Sequence, residues 1–242
     1  MHNVLRTIKE SQRTMAFLLD PEKTRIEDLM ETFDHINNLR ILIQTKLSVE
    51  YFVLFVGGST MINVDLDKWI LAAKEIIKIP IVIFPGSHHQ LTENADGLLF
   101  LNLISGDNPD YLIRQQRQAA AQLLRSQLEI VPTGYLLIDG GHESAVQRVS
   151  QTLPLSQHDT DSIIHTAFAG QLMGNQLIYL EAGSGAITPV NPEIIKSVKN
   201  QLEIPLIVGG GLRSLQQLKS SYLAGADMLV IGTAIEQKIN WN

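Results

Sequence analysis

The chain has 242 residues, 45% of them hydrophobic and 18% charged, with a formal net charge of −6 and no cysteine. That length is close to the roughly 250 residues of one eight-fold α/β barrel, and it buries enough surface to need no disulfide or metal staple. The composition excludes a disulfide framework, a thiolate metal site and a cysteine nucleophile, and the acidic balance argues against a nucleic-acid surface. The opening residues Met1-His2-Asn3-Val4-Leu5-Arg6 lack the apolar run of a signal peptide. No apolar stretch is long enough to suggest a membrane span, so a cytoplasmic protein is expected.

Short apolar runs rich in Val, Ile, Leu and Phe recur along the chain, as suits strands buried on both faces of a parallel sheet. The first, Met15 to Leu19, is closed by Asp20-Pro21-Glu22-Lys23. Proline stops the strand and leaves Asp20 at its end, as a carboxylate for Mg2+ or as the cap of a helix beginning near Thr24. Lys23 reads either as a phosphate contact or as a solvated charge. The second run, Tyr51 to Val56, leads into Gly57-Gly58-Ser59-Thr60, where Ser59 is a ligand for metal or phosphate, or a helix cap. Leu66, Trp69, Ile70, Ala73, Ile76 and Ile77 then form one apolar helical stripe.

The third run, Ile81 to Phe84, precedes Pro85-Gly86-Ser87-His88-His89. Adjacent histidines point apart and make a poor zinc pair without a third ligand; His142, His158 and His165 offer no better spacing. Gly97 to Leu101 and Gly134 to Ile138 follow as the fourth and fifth runs. The polar stretch from Gly140 to Asp161 reads as a loop region on the active face or a partly ordered insertion. Leu177 to Leu180, Leu206 to Val208 and Met228 to Ile231 complete the eight. Between them, Asn191-Pro192 and Ser214 are helix entry signals, and after the last run only a short helix fits.

Eight strand–helix units predict a single (β/α)8 TIM barrel spanning residues 1–242. An open doubly wound sheet is the competing architecture, but the early turns lack the G-x-G-x-x-G fingerprint. Glycines cluster instead after strands six, seven and eight, in Glu181-Ala182-Gly183-Ser184-Gly185, Gly209-Gly210-Gly211 and Gly232-Thr233-Ala234. Barrels commonly bind phosphate there, on backbone N–H groups that glycine leaves accessible, and a helix starting near Thr233 would add its dipole. Glu181 is placed just past strand six. A carboxylate inside an anion cradle has either a task, such as accepting a hydroxyl proton, or a bracing bond to loop N–H groups.

Tyr179-Leu180-Glu181-Ala182-Gly183-Ser184-Gly185-Ala186, Val208-Gly209-Gly210-Gly211, Asp20-Pro21-Glu22-Lys23 and Gly57-Gly58-Ser59 resemble the geranylgeranylglyceryl phosphate synthase family and its heptaprenyl relatives. Phe84-Pro85-Gly86-Ser87, Phe100-Leu101-Asn102-Leu103-Ile104-Ser105-Gly106 and Pro132-Thr133-Gly134-Tyr135 resemble its longer branch, found in many archaea and some bacteria. The resemblance runs from about residue 10 to 236. It implies a transferase that joins sn-glycerol 1-phosphate to a polyprenyl diphosphate, with geranylgeranyl diphosphate the expected donor, forming an ether and releasing diphosphate.

By that resemblance Asp20 and Ser59 hold Mg2+, and Tyr179, Glu181, Gly183, Ser184, Gly209, Gly210, Gly232 and Thr233 bind glycerol 1-phosphate. Asp20 and Glu181 carry the chemistry. Leu18 stands where the shorter branch often has lysine, so phosphate neutralisation is assigned to Lys23. A homo-oligomer is implied as well. The competing functions are a sugar-phosphate isomerase or aldolase on the same cradle, and a non-catalytic phosphate- or lipid-binding barrel.

Overall fold

The computed structural model describes residues 3–61, 63–239 and 241; Met1, His2 and the last residue of the expected 1–242 domain lie outside them. Eight parallel strands close into a barrel in sequence order, with β8 returning to β1. They are β1 Thr14–Leu19, β2 Tyr51–Val56, β3 Ile81–Ile83, β4 Gly97–Leu103, β5 Glu129–Leu137, β6 Leu177–Glu181, β7 Leu206–Gly209 and β8 Met228–Ile231. The helices are α1 Val4–Glu10, α2 Leu29–Leu47, α3 Leu66–Ile76, α4 Gln115–Leu123, α5 Ala145–Ser150, α6 Thr160–Leu172, α7 Pro192–Lys199, α8 Leu215–Leu223 and α9 Thr233–Glu236. A π-helical turn, Asp110–Arg114, leads into α4.

The expected strands all form, with two corrections that bear on the site. Glu181 is the last residue of β6 rather than the first of the loop, and it pairs in register with Leu137 and Gly209. β5 begins at Glu129, five residues before the expected Gly134, and carries Pro132 inside it. The proline is tolerated because β6 pairs with β5 only from Thr133 onward, so no neighbour requires its missing N–H. The polar stretch after β5 is partly ordered: it holds α5 and a single bridge between Ile138 and Leu155.

Side chains alternate between two cores. Ala16, Val53, Phe55, Val82, Leu99, Val131, Tyr179, Ile207, Met228 and Val230 fill the barrel interior, while Met15, Phe17, Leu54, Ile178, Leu180 and Leu229 face the helices. The period of two carries the interior register upward to Asp20, Gly57, Phe84, Glu181, Gly209 and Gly232 at the C-terminal strand ends. At the opposite end α1 closes the barrel. Its Val4 and Ile8 join the interior core, and the Glu129 carboxylate accepts from the N–H groups of Val4 and Leu5 at 2.5 and 2.9 Å.

Candidate active site

A cleft at the C-terminal end of the barrel is lined by Asp20, Lys23, Ser59, Glu181, Ser184, Gly210, Gly232 and Thr233. Eight of the residues singled out in the sequence thus meet in one place. Tyr179, Gly183 and Gly209 lie directly behind them. Glu181 is 7% exposed, and both its oxygens are engaged: the Tyr179 hydroxyl donates to Oε2 at 2.5 Å and the Gly183 N–H to Oε1 at 2.8 Å. Burial raises the Glu181 pKa, and these two hydrogen bonds oppose the rise.

The glycines are needed for close approach. A Cβ on Gly209 would lie 2.4 Å from the Tyr179 hydroxyl and 2.7 Å from Glu181 Oε2. Gly210 has φ +84, and a Cβ there would lie 2.6 Å from Glu181 Oε1 and 2.7 Å from the Gly183 nitrogen. Any other residue at these positions would push the cradle and the carboxylate apart. Thr233 joins the loops after β6 and β8: its hydroxyl lies 3.2 Å from Ser184 Oγ and accepts from the Gly185 N–H at 3.2 Å. The expected short helix begins at Thr233 as α9, a single turn with no side-chain cap.

At the other side of the mouth, Asp20 is half-buried and forms no ion pair among the described residues. Its carboxylate accepts from the Glu22 N–H at 3.0 Å and packs against Gly58, where a Cβ would lie 2.6 Å from Oδ2. The helix-cap readings fail at both positions. The first helical turn beyond Asp20 starts at Ile26 behind Arg25, and α3 is capped by Asp65 rather than Ser59. Burial raises the Asp20 pKa, and together with Ser59 it offers a set of oxygen donors. Among the described residues no group of three His, Asp or Glu gathers to hold a metal. One carboxylate and one hydroxyl fit an ion such as Mg2+, which takes most of its ligands from water and substrate phosphate.

Lys23 lines the outer edge of the cleft. It is exposed at the rim, and Glu236 of α9 holds its ammonium at 3.2 Å. The cation beside the cradle is Arg213, which the sequence reading missed. It is half-buried, lines the cleft, and donates to the Gly185 carbonyl at 3.1 Å. Its position, two residues after Gly211, was the available signal.

Away from these residues one stretch of the cleft is mostly apolar, with Phe100, Leu101, Leu103, Tyr111, Val146 and Val149 along it. Phe84 and Tyr135, which line the cleft, pack with the buried Tyr179 in an aromatic cluster, with ring centroids 5.3 to 6.1 Å apart. Burial first and the Glu181 charge second raise the phenols of Tyr135 and Tyr179 well above their usual value.

The PcrB family pattern matches residues 6–241. The chain belongs to the PcrB family. Among relatives of this PcrB-family chain, the geranylgeranylglyceryl phosphate synthase of Zunongwangia profunda is 47% identical over 96% of the chain and 95% of its own length. That of Flavobacterium johnsoniae is 45% identical over 96% and 92%. A solved structure of (S)-3-O-geranylgeranylglyceryl phosphate synthase from Thermoplasma acidophilum, in complex with sn-glycerol-1-phosphate, matches the fold with a TM-score of 0.80. It is 32% identical, and the match covers 98% of this PcrB-family chain and 93% of that one.

Proposed function

We propose that this chain is a prenyltransferase that forms an ether between the 3-hydroxyl of sn-glycerol 1-phosphate and C1 of a polyprenyl diphosphate, releasing diphosphate. The observation that carries the reading is one cleft joining a glycine-built anion cradle, with a buried carboxylate inside it, to an apolar groove. A sugar phosphate would leave the apolar half unused, and a prenyl diphosphate alone would leave the cradle unused. The family and the glycerol phosphate complex of a relative support the same pairing.

In this reading the N–H groups of the loops after β6, β7 and β8 hold the phosphate of glycerol 1-phosphate, with Ser184, Thr233 and Arg213 around it. Tyr179 fixes Glu181, and Glu181 orients the glycerol 3-hydroxyl and takes its proton as the oxygen bonds to C1. The groove holds the prenyl tail so that C1 lies beside that hydroxyl, and holding both partners together supplies much of the rate. Asp20 and Ser59 would bind Mg2+, which offsets the charge of the diphosphate leaving group. The Phe84 and Tyr135 rings shield the breaking C1–O bond from water.

The deciding experiment is an incubation of the purified protein with sn-glycerol 1-phosphate, Mg2+ and allylic diphosphates of several lengths, with products identified by mass. Ether formation is expected, and the most rapidly consumed donor names the chain length. Hydrolysis of the donor to diphosphate and free prenyl alcohol, with no ether, would overturn the proposal.

A further inference from the structure

The loop after β3 carries two histidines to which the reaction above gives no part. We propose that His88 is a further donor-binding residue whose Nε2 holds the diphosphate of the prenyl substrate, an assignment that rests on the prenyltransferase reading. His88 is half-buried and lines the cleft, as does Gln115 at the start of α4. The His88 backbone N–H donates to Gln115 Oε1 at 2.9 Å, and its Nδ1 lies 2.6 Å from the same oxygen. An amide oxygen only accepts, so the ring proton sits on Nδ1 and the tautomer is fixed. Nε2 is the atom left to meet a ligand. Gln115 is the ring's only hydrogen-bond partner among the described residues.

The ring is also fixed in place relative to the mouth. Gly86 packs so tightly on the Ser59 loop that a Cβ there would lie 2.3 Å from the Gly58 carbonyl oxygen and 2.9 Å from Ser59 Cα. Gln90 ties the two loops together, donating to the Gly58 carbonyl at 2.9 Å and accepting from the Gly86 N–H at 2.9 Å. His88 is therefore clamped between the Ser59 side of the mouth and the first turn of α4, which continues into the apolar groove through Gln116 and Ala119. A prenyl diphosphate has polar atoms at one end only. A ring nitrogen at this junction meets the diphosphate and not the tail. With Nδ1 carrying one proton, Nε2 and a phosphate oxygen share a second in a charge-assisted hydrogen bond. Lys23, held by Glu236, leaves that role open. Contrary to the expectation that adjacent histidines point apart, His89 packs its ring 3.7 Å from that of His88; it is itself exposed, which makes it the natural control.

The test titrates inorganic diphosphate with Mg2+, and separately glycerol 1-phosphate, into wild type, His88→Ala, His88→Gln and His89→Ala, and measures kcat and KM for geranylgeranyl diphosphate. His88→Ala is expected to weaken diphosphate binding by about tenfold or more and to raise the donor KM in parallel. Affinity for glycerol 1-phosphate stays unchanged, His88→Gln recovers part of the loss by keeping a donor, and His89→Ala behaves as wild type. Equal diphosphate affinity in wild type and His88→Ala overturns the assignment, as does an equal loss of glycerol 1-phosphate affinity. Failure of the wild type to form any ether would count against the reaction, while the diphosphate titration would still decide the role of His88.

Discussion

Glu181 shows how one side chain can work against the fold that holds it. Burial raises its pKa, so the folded chain binds this proton more tightly than the unfolded chain. Stability from the group is fully present below the ordinary value of 4.5 and is lost as pH rises through the folded value. Above that window the fold carries an ionised, buried carboxylate. Glu181→Gln should therefore raise the melting temperature at pH 8, and the gain should shrink as pH falls toward 4.5. In the proposed reaction the same variant keeps its glycerol 1-phosphate affinity and loses about 10²- to 10⁴-fold in turnover. Paired melting curves and rate measurements on one preparation check both halves. A melting gap that does not change with pH would show that the charge is not what strains the site, and unchanged turnover would remove Glu181 as the base.

At the scale of elements, the end of β7 places that carboxylate. Gly209 lies under Tyr179 and Glu181 with no room for a methyl group. Gly209→Ala should cost about 1–3 kcal/mol of stability from overpacking and lower kcat by forcing the hydrogen-bonded pair apart. A folded variant with normal kcat would show that the Tyr179–Glu181 contact is dispensable. The sequence made the elements themselves legible, because β1, β2 and β8 read as continuous apolar runs bounded by breakers. Counting by twos from Leu177 puts Glu181 on the interior. Features were hidden where local chemistry misleads or a partner is remote. Glu129 and Pro132 look like breakers at the start of β5, and α5 lies in a polar stretch. The fate of Lys23 was set by Glu236, 213 residues away in sequence. The groove was hidden for a similar reason, since Phe100, Tyr111 and Val146 come from three separate segments.

For the whole molecule, the barrel is stoppered at one end and functional at the other. Ile8, 1% exposed inside the floor of the barrel, should contribute to stability without touching the site. Ile8→Ala is expected to destabilise by about 2–5 kcal/mol in urea unfolding and to leave both KM values unchanged. A shift in either KM would mean that the floor is mechanically coupled to the mouth. The closed floor also bears on how a reaction cycle ends. The ether product carries on one molecule the phosphate head and the prenyl tail that arrived separately, so it grips the cradle and the groove at once. When one end lets go, the other keeps it at high effective concentration and rebinding competes with escape. Departure should therefore set the pace of the steady state. Rapid-quench measurement is expected to show a fast first turnover followed by a slower rate, and lipid vesicles that absorb the product should speed only the second phase.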